Sequence, residues 1–182
     1  MRVLGVDYGQ KRMGLAVSDD GEVIASPLEV VDCGGEIVGD ARRIARIARA
    51  EGCGRIVVGM PMNLKGERGP AAQQADRFAQ TLRNQTPLPV VVWDERLSTA
   101  QANQSLLAAD VSRAGRRGSV DKIAAALILQ NYLDAQRAAE ARAQARSEAR
   151  SEARSEARSE NQRELDDQGS DTPEDTDTDG SD

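Results

Sequence analysis

The sequence predicts an α/β fold: a mixed five-stranded sheet flanked by helices, followed by a disordered C-terminal tail. Two observations predict this fold. Three short apolar runs separated by turn residues come first, and helical and strand patterns then alternate as far as residue 134. Together they give the element order βββαβαβαα, which corresponds to one domain over residues 1–134.

The first three strands are predicted to form an antiparallel meander. Residues 3–6 are an apolar run, residues 14–17 are a second run, and residues 23–25 open a third. The segments between them, 8–11 and 19–21, contain glycine and polar residues that are typical of hairpin turns.

Two helices and two buried strands are predicted to alternate after the meander. Residues 36–51 have helical spacing, with Ile37, Ala41, Ile44 and Ala48 on one face. Residues 55–59 and 90–93 are continuous apolar runs that predict buried strands. Between them Pro70 can begin a helix at its first turn. The predicted inner face of that helix consists of Ala71, Ala75, Phe78 and Leu82.

Two further helices complete the predicted domain. Ser98 and Gln101 have capping-box spacing, which predicts a helix through about Ala109. Ser119 is the expected cap of a last helix, whose inward-facing residues are Ala124, Leu127 and Ile128. The large aromatic side chains Phe78 and Trp93 both lie in buried patterns, so they are expected to pack in the core rather than stack on bases.

The chain changes in composition after about residue 134. Residues 145–160 are four copies of ARSE, and we interpret 135–160 as a charged, low-complexity helical extension. Residues 161–182 carry nine Asp/Glu and one Arg, and we expect this acidic tail to be disordered. Without it the charge is nearly balanced, because residues 1–134 carry 17 Lys/Arg and 16 Asp/Glu. Net charge therefore does not identify a partner.

Composition excludes several kinds of chemistry and location. The chain has no histidine, which excludes Ser-His-Asp and Cys-His nucleophiles and HExxH zinc sites. Its two cysteines are isolated, which fits a reducing cytosol better than a disulfide scaffold or zinc ribbon. It contains no apolar run of membrane-spanning length. We therefore expect a cytoplasmic protein that does not associate with membranes.

Three carboxylates are candidates for catalysis. Asp7 ends the first apolar run, Glu95 follows the strand over residues 90–93, and Asp121 lies early in the last helix on its predicted inner face. The carboxyl ends of parallel strands share one edge of a sheet, so Asp7 and Glu95 can converge there. Each residue also has an ordinary explanation, as a turn acid, a surface charge or a helix N-terminal charge respectively.

Convergent carboxylates repel one another unless a cation neutralises them. Mg²⁺ and Mn²⁺ prefer oxygen ligands, and two such ions can activate water and stabilise the leaving oxygen in phosphodiester hydrolysis. This chemistry needs no histidine. Candidate substrate-binding residues are polar or basic: Arg12, Asn63, Lys65, Arg96, Arg116 and Arg117. Ordinary loop residues and structural ion pairs are the alternatives for them.

Four segments resemble the YqgF family. Residues 6–19 read VDYGQKRMGLAVSD, 58–63 read VGMPMN with Gly66 following, 94–99 read DERLST, and 120–122 read VDK. The family is ribonuclease-H-like, and its members are described as Holliday junction resolvases and as nucleases for the 5′ end of pre-16S rRNA. The resemblance covers about residues 2–134 and implies that Asp7, Glu95 and Asp121 bind metal.

The resemblance implies a hydrolase of ester bonds that acts on nucleic acid in ribosome biogenesis, with precursor rRNA favoured over branched DNA. We also expect association with the ribosome, and the chain is either a monomer or a homodimer, since a resolvase needs a dimer whereas an RNA-processing enzyme can act as a monomer. Two other classes remain open. One is a nucleotide-binding kinase or ATPase, which needs a second domain, and the other is a non-catalytic ribosome- or transcription-associated factor.

Overall fold

A computed structural model describes residues 1–61, 69–94 and 116–168, with backbone alone for residues 116–120 and 155–168. Contacts divide the chain into two units, Met1–Arg137 and Ala138–Asp182. The elements in chain order are β1 (Arg2–Tyr8), β2 (Arg12–Ser18), β3 (Ala25–Asp32), α1 (Ile37–Ala50), β4 (Cys53–Met60), α2 (Pro70–Arg83), β5 (Val90–Asp94) and α3 (Arg116–Gln168). The helix predicted over 98–109 lies outside the described residues.

The five strands form one mixed sheet in the order β3-β2-β1-β4-β5. Strand β2 is antiparallel to both β1 and β3, whereas β4 is parallel to both β1 and β5. The predicted meander and the mixed sheet are therefore confirmed. The carboxyl ends of the parallel strands β1, β4 and β5 lie at one edge of the sheet, the carboxyl edge.

Strand β3 begins at Ala25 rather than at Val23. The carboxylate of Asp19 accepts the backbone N–H groups of Val23 and Ile24, at 2.7 and 2.8 Å. Those two N–H groups therefore close the turn instead of joining the sheet, and the side chain of Ile24 is 61% exposed.

Helices α1 and α2 pack on one face of the sheet. The predicted inner face of α1 is confirmed, since Ala41, Ile44 and Ala48 are fully buried. The inner face of α2 differs from the predicted one, because Ala72 is buried in place of the exposed Ala71 and Ala79 is buried as well. Phe78 is fully buried and stacks on Tyr8, with ring centroids 4.3 Å apart.

The first part of α3 packs on the opposite face of the sheet. Its buried residues are Ala125, Ala126, Ile128, Leu129, Asn131, Tyr132 and Leu133. The buried stripe thus follows the prediction at Ile128, while Ala124 and Leu127 are only half-buried. Trp93 of β5 packs edge-on against Tyr132, with ring centroids 5.4 Å apart, as expected for a core residue.

Helix α3 begins earlier than the sequence predicted. It starts at Arg116, so Ser119 lies inside the first turn and is not the cap. Arginine is a good helix former, so the neighbouring Arg116 and Arg117 favour this earlier start.

The second unit, Ala138–Asp182, is helical from Ala138 to Gln168. All its described side chains, residues 138–154, are exposed. The helix continues beyond residue 160, where the acidic tail was expected to begin, because residues 162–165 are Gln, Arg, Glu and Leu, which all favour helix. Among the helices of the described ranges, none is long and apolar enough to cross a membrane.

Candidate active site

Asp7 lies near the carboxyl end of β1, on the sheet face that α3 covers. Side chains alternate along a strand, so Asp7 shares its face with Val3 and Gly5. Val3 packs with Ala125 and Leu129, and a Cβ on Gly5 would lie 2.8 Å from the Cβ of Leu129. The candidate site is therefore formed between β1 and the start of α3.

Gly14 of β2 brings Asp121 to this strand end. It pairs with Asp7 in the β1–β2 register. A Cβ on Gly14 would lie 1.9 Å from the carbonyl oxygen of Asp121, a separation that no side chain can tolerate. The backbone of α3 therefore contacts the backbone of β2 directly at Gly14. Because Gly14 is the register partner of Asp7, this contact places the backbone of Asp121 near Asp7.

The two carboxylates interact electrostatically. Burial, and then the negative charge of Asp121, raise the pKa of Asp7 from 3.8 to about 6. Ionisation of Asp7 therefore costs more free energy in the folded chain without a bound cation than in the unfolded chain. A cation placed beside both carboxylates would remove this cost, which is the behaviour expected of paired metal ligands.

Arg12 provides the positive charge that the structure shows beside these acids. Its Nη2 lies 3.2 Å from Oδ2 of Asp121, and both side chains are about one-third exposed, at 38% and 28%. The pair lacks hydrogen-bond geometry, since this buried oxygen accepts no hydrogen bond. A buried carboxylate oxygen without a donor fits a divalent cation, which prefers such oxygen ligands.

The other predicted site residues are outside this geometry. Glu95, Asn63, Lys65 and Arg96 lie outside the described residues, and Arg116 and Arg117 are placed by their backbone alone, in the first turn of α3. Within the described ranges no group of three or more Asp, Glu, Cys or His side chains is close enough to hold a metal ion. The predicted trio therefore depends on Glu95, which follows the last residue of β5 in sequence.

Two features of the site were not predicted from the sequence. They are the close approach of α3 to Gly5 and Gly14, and the ion pair between Arg12 and Asp121. A signal for the first feature was present, because glycine inside a strand often marks the close approach of another backbone. The ion pair had no local signal, since its partners are far apart in the chain.

Comparison with known proteins shows the family of the chain. The model of the family described as "RuvX: Holliday junction resolvase" matches residues 1–135. A protein of Geobacillus kaustophilus named "Putative pre-16S rRNA nuclease" is 50% identical over 139 residues, which are 75% of this chain and all of the relative. A protein of the same name from Symbiobacterium thermophilum is 49% identical over 138 residues, covering 76% of this chain and 95% of the relative.

The fold is similar to that of two solved RuvC structures. The Thermus thermophilus RuvC structure in complex with a Holliday junction substrate has a TM-score of 0.51 at 17% identity, covering 75% of this chain and 95% of that one. A second Thermus thermophilus RuvC structure has a TM-score of 0.50 at 16% identity, with 76% and 97% covered. The ribonuclease-H-like fold predicted for the chain is confirmed.

Proposed function

This chain belongs to the RuvX family, and we propose that it is a metal-dependent nuclease that hydrolyses a phosphodiester bond during 5′-end processing of pre-16S rRNA. The observation that carries the proposal is the convergence of Asp7 and Asp121 across Gly14. The names of the curated relatives favour precursor rRNA as the substrate. We place the reaction in the cytoplasm, where this RNA is processed.

The proposed ligands of one or two Mg²⁺ or Mn²⁺ ions are Asp7, Glu95 and Asp121. When bound, such ions activate water for attack and stabilise the leaving oxygen of the phosphodiester. Asp7 and Asp121 belong to different elements, so the contact of α3 with Gly14 sets their relative position. Val91 and Trp93 of β5 pack on the α3 side, and Glu95 directly follows Asp94, the last residue of that strand, in sequence.

The positive groups have two proposed roles. Arg12 balances the charge of Asp121 when no cation is present, and it can turn to a substrate phosphate once a metal takes its place. Arg96, Arg116 and Arg117, with Asn63 and Lys65, are proposed to contact the nucleic acid near the cleaved bond. Contacts of this kind position a strand without reading its sequence.

A second candidate activity is resolution of branched DNA, which the family description favours. A resolvase cuts two strands symmetrically and needs a two-fold dimer, whereas an RNA-processing enzyme can act as a monomer. Association with the ribosome would accompany the RNA activity. The oligomeric state in solution, together with the preferred substrate, separates the two candidates.

The test compares cleavage of a pre-16S 5′-leader RNA and of a four-way DNA junction. Wild type is assayed with Mg²⁺, Mn²⁺ or EDTA beside Asp7→Asn, Glu95→Gln and Asp121→Asn. Asp20→Asn is the matched control, because Asp20 is an exposed acid in the β2–β3 turn. We expect metal-dependent RNA cleavage by wild type and the control alone. Equal activity in all five proteins would reject the proposal, and preference for the junction would favour the second candidate.

A further inference from the structure

Helix α1 exposes four positive charges and no negative one. Its exposed charged side chains are Arg42, Arg43, Arg46 and Arg49. The only acid of α1, Asp40, is 5% exposed and accepts the backbone N–H of Gly34 at 2.8 Å. The outer surface of α1 therefore has a net positive charge that no acid on the same helix balances.

Three of these arginines share one side of the helix. Arg42, Arg46 and Arg49, called the arginine row here, line a groove of about 470 Å³ together with Gly39, Ala45 and Gln85. Nε of Arg42 donates to Oε1 of Gln85 at 3.0 Å, which holds that guanidinium at the groove. Arg43 turns to the other side of the helix, where its Nη1 lies 3.5 Å from the carbonyl oxygen of Asp32.

A second cavity lies between the start of α1 and the first half of α2. It has a volume of about 410 Å³ and is lined by Tyr8, Gln10, Ile37, Gln74 and Arg77. Within the described ranges, the side chain of Arg77 makes no ion pair. Ile37 and Gly39, which line the two cavities, are close neighbours on α1, and Tyr8 follows Asp7 in β1. The Tyr8 cavity therefore lies near the carboxyl end of β1, on the sheet face opposite to the side chain of Asp7.

We propose that the groove between α1 and α2 binds the phosphate backbone of a single-stranded RNA segment that flanks the cleaved bond. Residues 42 and 49 are about 10 Å apart along the helix axis at 1.5 Å per residue. The arginine row is therefore long enough to contact more than one phosphate of the same strand. Arginine forms strong paired hydrogen bonds with phosphate, and its planar group stacks on exposed bases.

The arginines of the groove favour a single strand. Its unpaired bases are free to stack on the planar guanidinium groups, whereas the bases of a duplex are already stacked on one another. The polar side chains of the Tyr8 cavity can accept a base or ribose at the end of this path. The inference rests on the proposed function, because it assigns the groove to the substrate of the same enzyme.

The test measures RNA binding by the full chain under conditions that prevent cleavage. Fluorescence anisotropy in EDTA follows a labelled 12-nucleotide single-stranded RNA between 50 and 300 mM salt. The variant Arg42→Gln/Arg46→Gln/Arg49→Gln is compared with Arg142→Gln/Arg146→Gln/Arg150→Gln, which removes the same charge from exposed positions of the second unit. Arg43→Gln is a control on α1 itself, because Arg43 lies outside the groove.

We expect the row variant to bind RNA at least about tenfold more weakly at 0.1 M salt, with the slope of log K against log salt reduced by about 2. Neither control should change the affinity by more than about twofold. Equal affinity of the row and control variants would overturn the inference. Capture of poly-glutamate, with RNA affinity unchanged, would also overturn it and indicate an acidic protein partner.

The two proposals fail in different ways. If wild type binds RNA through the arginine row but never cleaves it with any metal, the proposed function is wrong and the inference that the groove binds RNA still stands. If wild type cleaves RNA and the row variant binds and cleaves it equally well, the inference that the groove binds RNA is wrong and the proposed nuclease function still stands. Circular dichroism of the row variant must show wild-type helix content, which is expected because all three side chains are exposed.

Discussion

Gly14 lies directly against the backbone of Asp121, so closely that a Cβ on the glycine would be 1.9 Å from the aspartate carbonyl oxygen. Gly14 is also the register partner of Asp7. One position without a side chain therefore sets the relation between two acids that are far apart in sequence. The candidate site depends on this backbone contact as much as on the carboxylates.

Replacing Gly14 with alanine should damage both stability and activity. The new methyl group must push α3 away from β2, and overpacking of this kind typically costs about 1–3 kcal/mol in the free energy of unfolding. Because Asp121 moves with α3, we expect the rate of metal-dependent cleavage to fall even under conditions in which the variant remains folded. Urea unfolding and cleavage assays measure the two effects.

Gly39→Ala is the matched control for the urea unfolding of this variant. Gly39 is on α1, and the nearest atom to a Cβ there is 3.9 Å away, so the methyl group fits. Gly39 is the third residue of α1, so alanine there should be neutral or stabilising by up to about 1 kcal/mol. The role assigned to Gly14 is wrong if Gly14→Ala unfolds at the same urea concentration as wild type.

Asp7→Asn should stabilise the metal-free chain at neutral pH while abolishing cleavage. The pKa of Asp7 is raised from 3.8 to about 6, so the folded chain holds this proton more tightly than the unfolded chain does. Stability is therefore lost as pH rises through this range, by roughly 3 kcal/mol for the full shift. Asparagine does not ionise, so the variant avoids the loss.

The measurement is urea unfolding in EDTA at pH 4 and pH 7.5. The gain of Asp7→Asn over wild type should be small at pH 4 and large at pH 7.5. Asp20→Asn, an exposed acid, should show little gain at either pH. A gain that does not depend on pH would contradict the assignment of the raised pKa to Asp7.

Mg²⁺ or Mn²⁺ should raise the thermal stability of wild type. A ligand that binds only the folded state stabilises it by about 2.7 kcal/mol at a hundred times its dissociation constant. Asp7→Asn and Asp121→Asn each remove a proposed ligand, so their unfolding temperatures should respond weakly to the same ions. If both variants responded as wild type does, the cation would have to bind elsewhere.

Arg12→Gln should strengthen metal binding and weaken RNA binding. Without the guanidinium, 3.2 Å from Oδ2 of Asp121, that carboxylate is free to attract a cation. We expect a tighter metal dissociation constant by calorimetry and a higher KM for RNA. The pair is about one-third exposed, so the change in stability should stay below about 1 kcal/mol.

Arg2→Gln is the control for Arg12, because Arg2 pairs with Glu51 at the opposite end of β1, 3.0 Å away. It should alter neither the metal dissociation constant nor the KM. The proposed role of Arg12 fails if both arginine variants behave alike.

A chain that ends at Arg137 should fold and cleave as the full chain does. It contains the whole first unit and the whole family match, and the Geobacillus kaustophilus relative aligns over its full length with 139 residues. Circular dichroism and the RNA cleavage assay test this prediction. A truncated chain that folds but loses cleavage would assign a catalytic role to the second unit.

The sequence by itself determined the elements and most of their faces. Apolar runs of strand length and helical spacing on α1 predicted the sheet and its first helix cover, because these patterns are local and repeat every two or 3.6 residues. Two boundaries, the starts of β3 and α3, were predicted wrongly because local interactions compete with these patterns. Asp19 holds the N–H groups of Val23 and Ile24 in the turn, and α3 begins before Ser119.

Only the tertiary structure decided how the candidate site is assembled. Asp7 and Asp121 could each be identified from sequence, yet their meeting depends on the contact between Gly14 and α3, and the partner of Arg12 depends on the same contact. Such relations join residues more than a hundred positions apart. They arise from how closely two backbones pack, which no periodic pattern along the chain encodes.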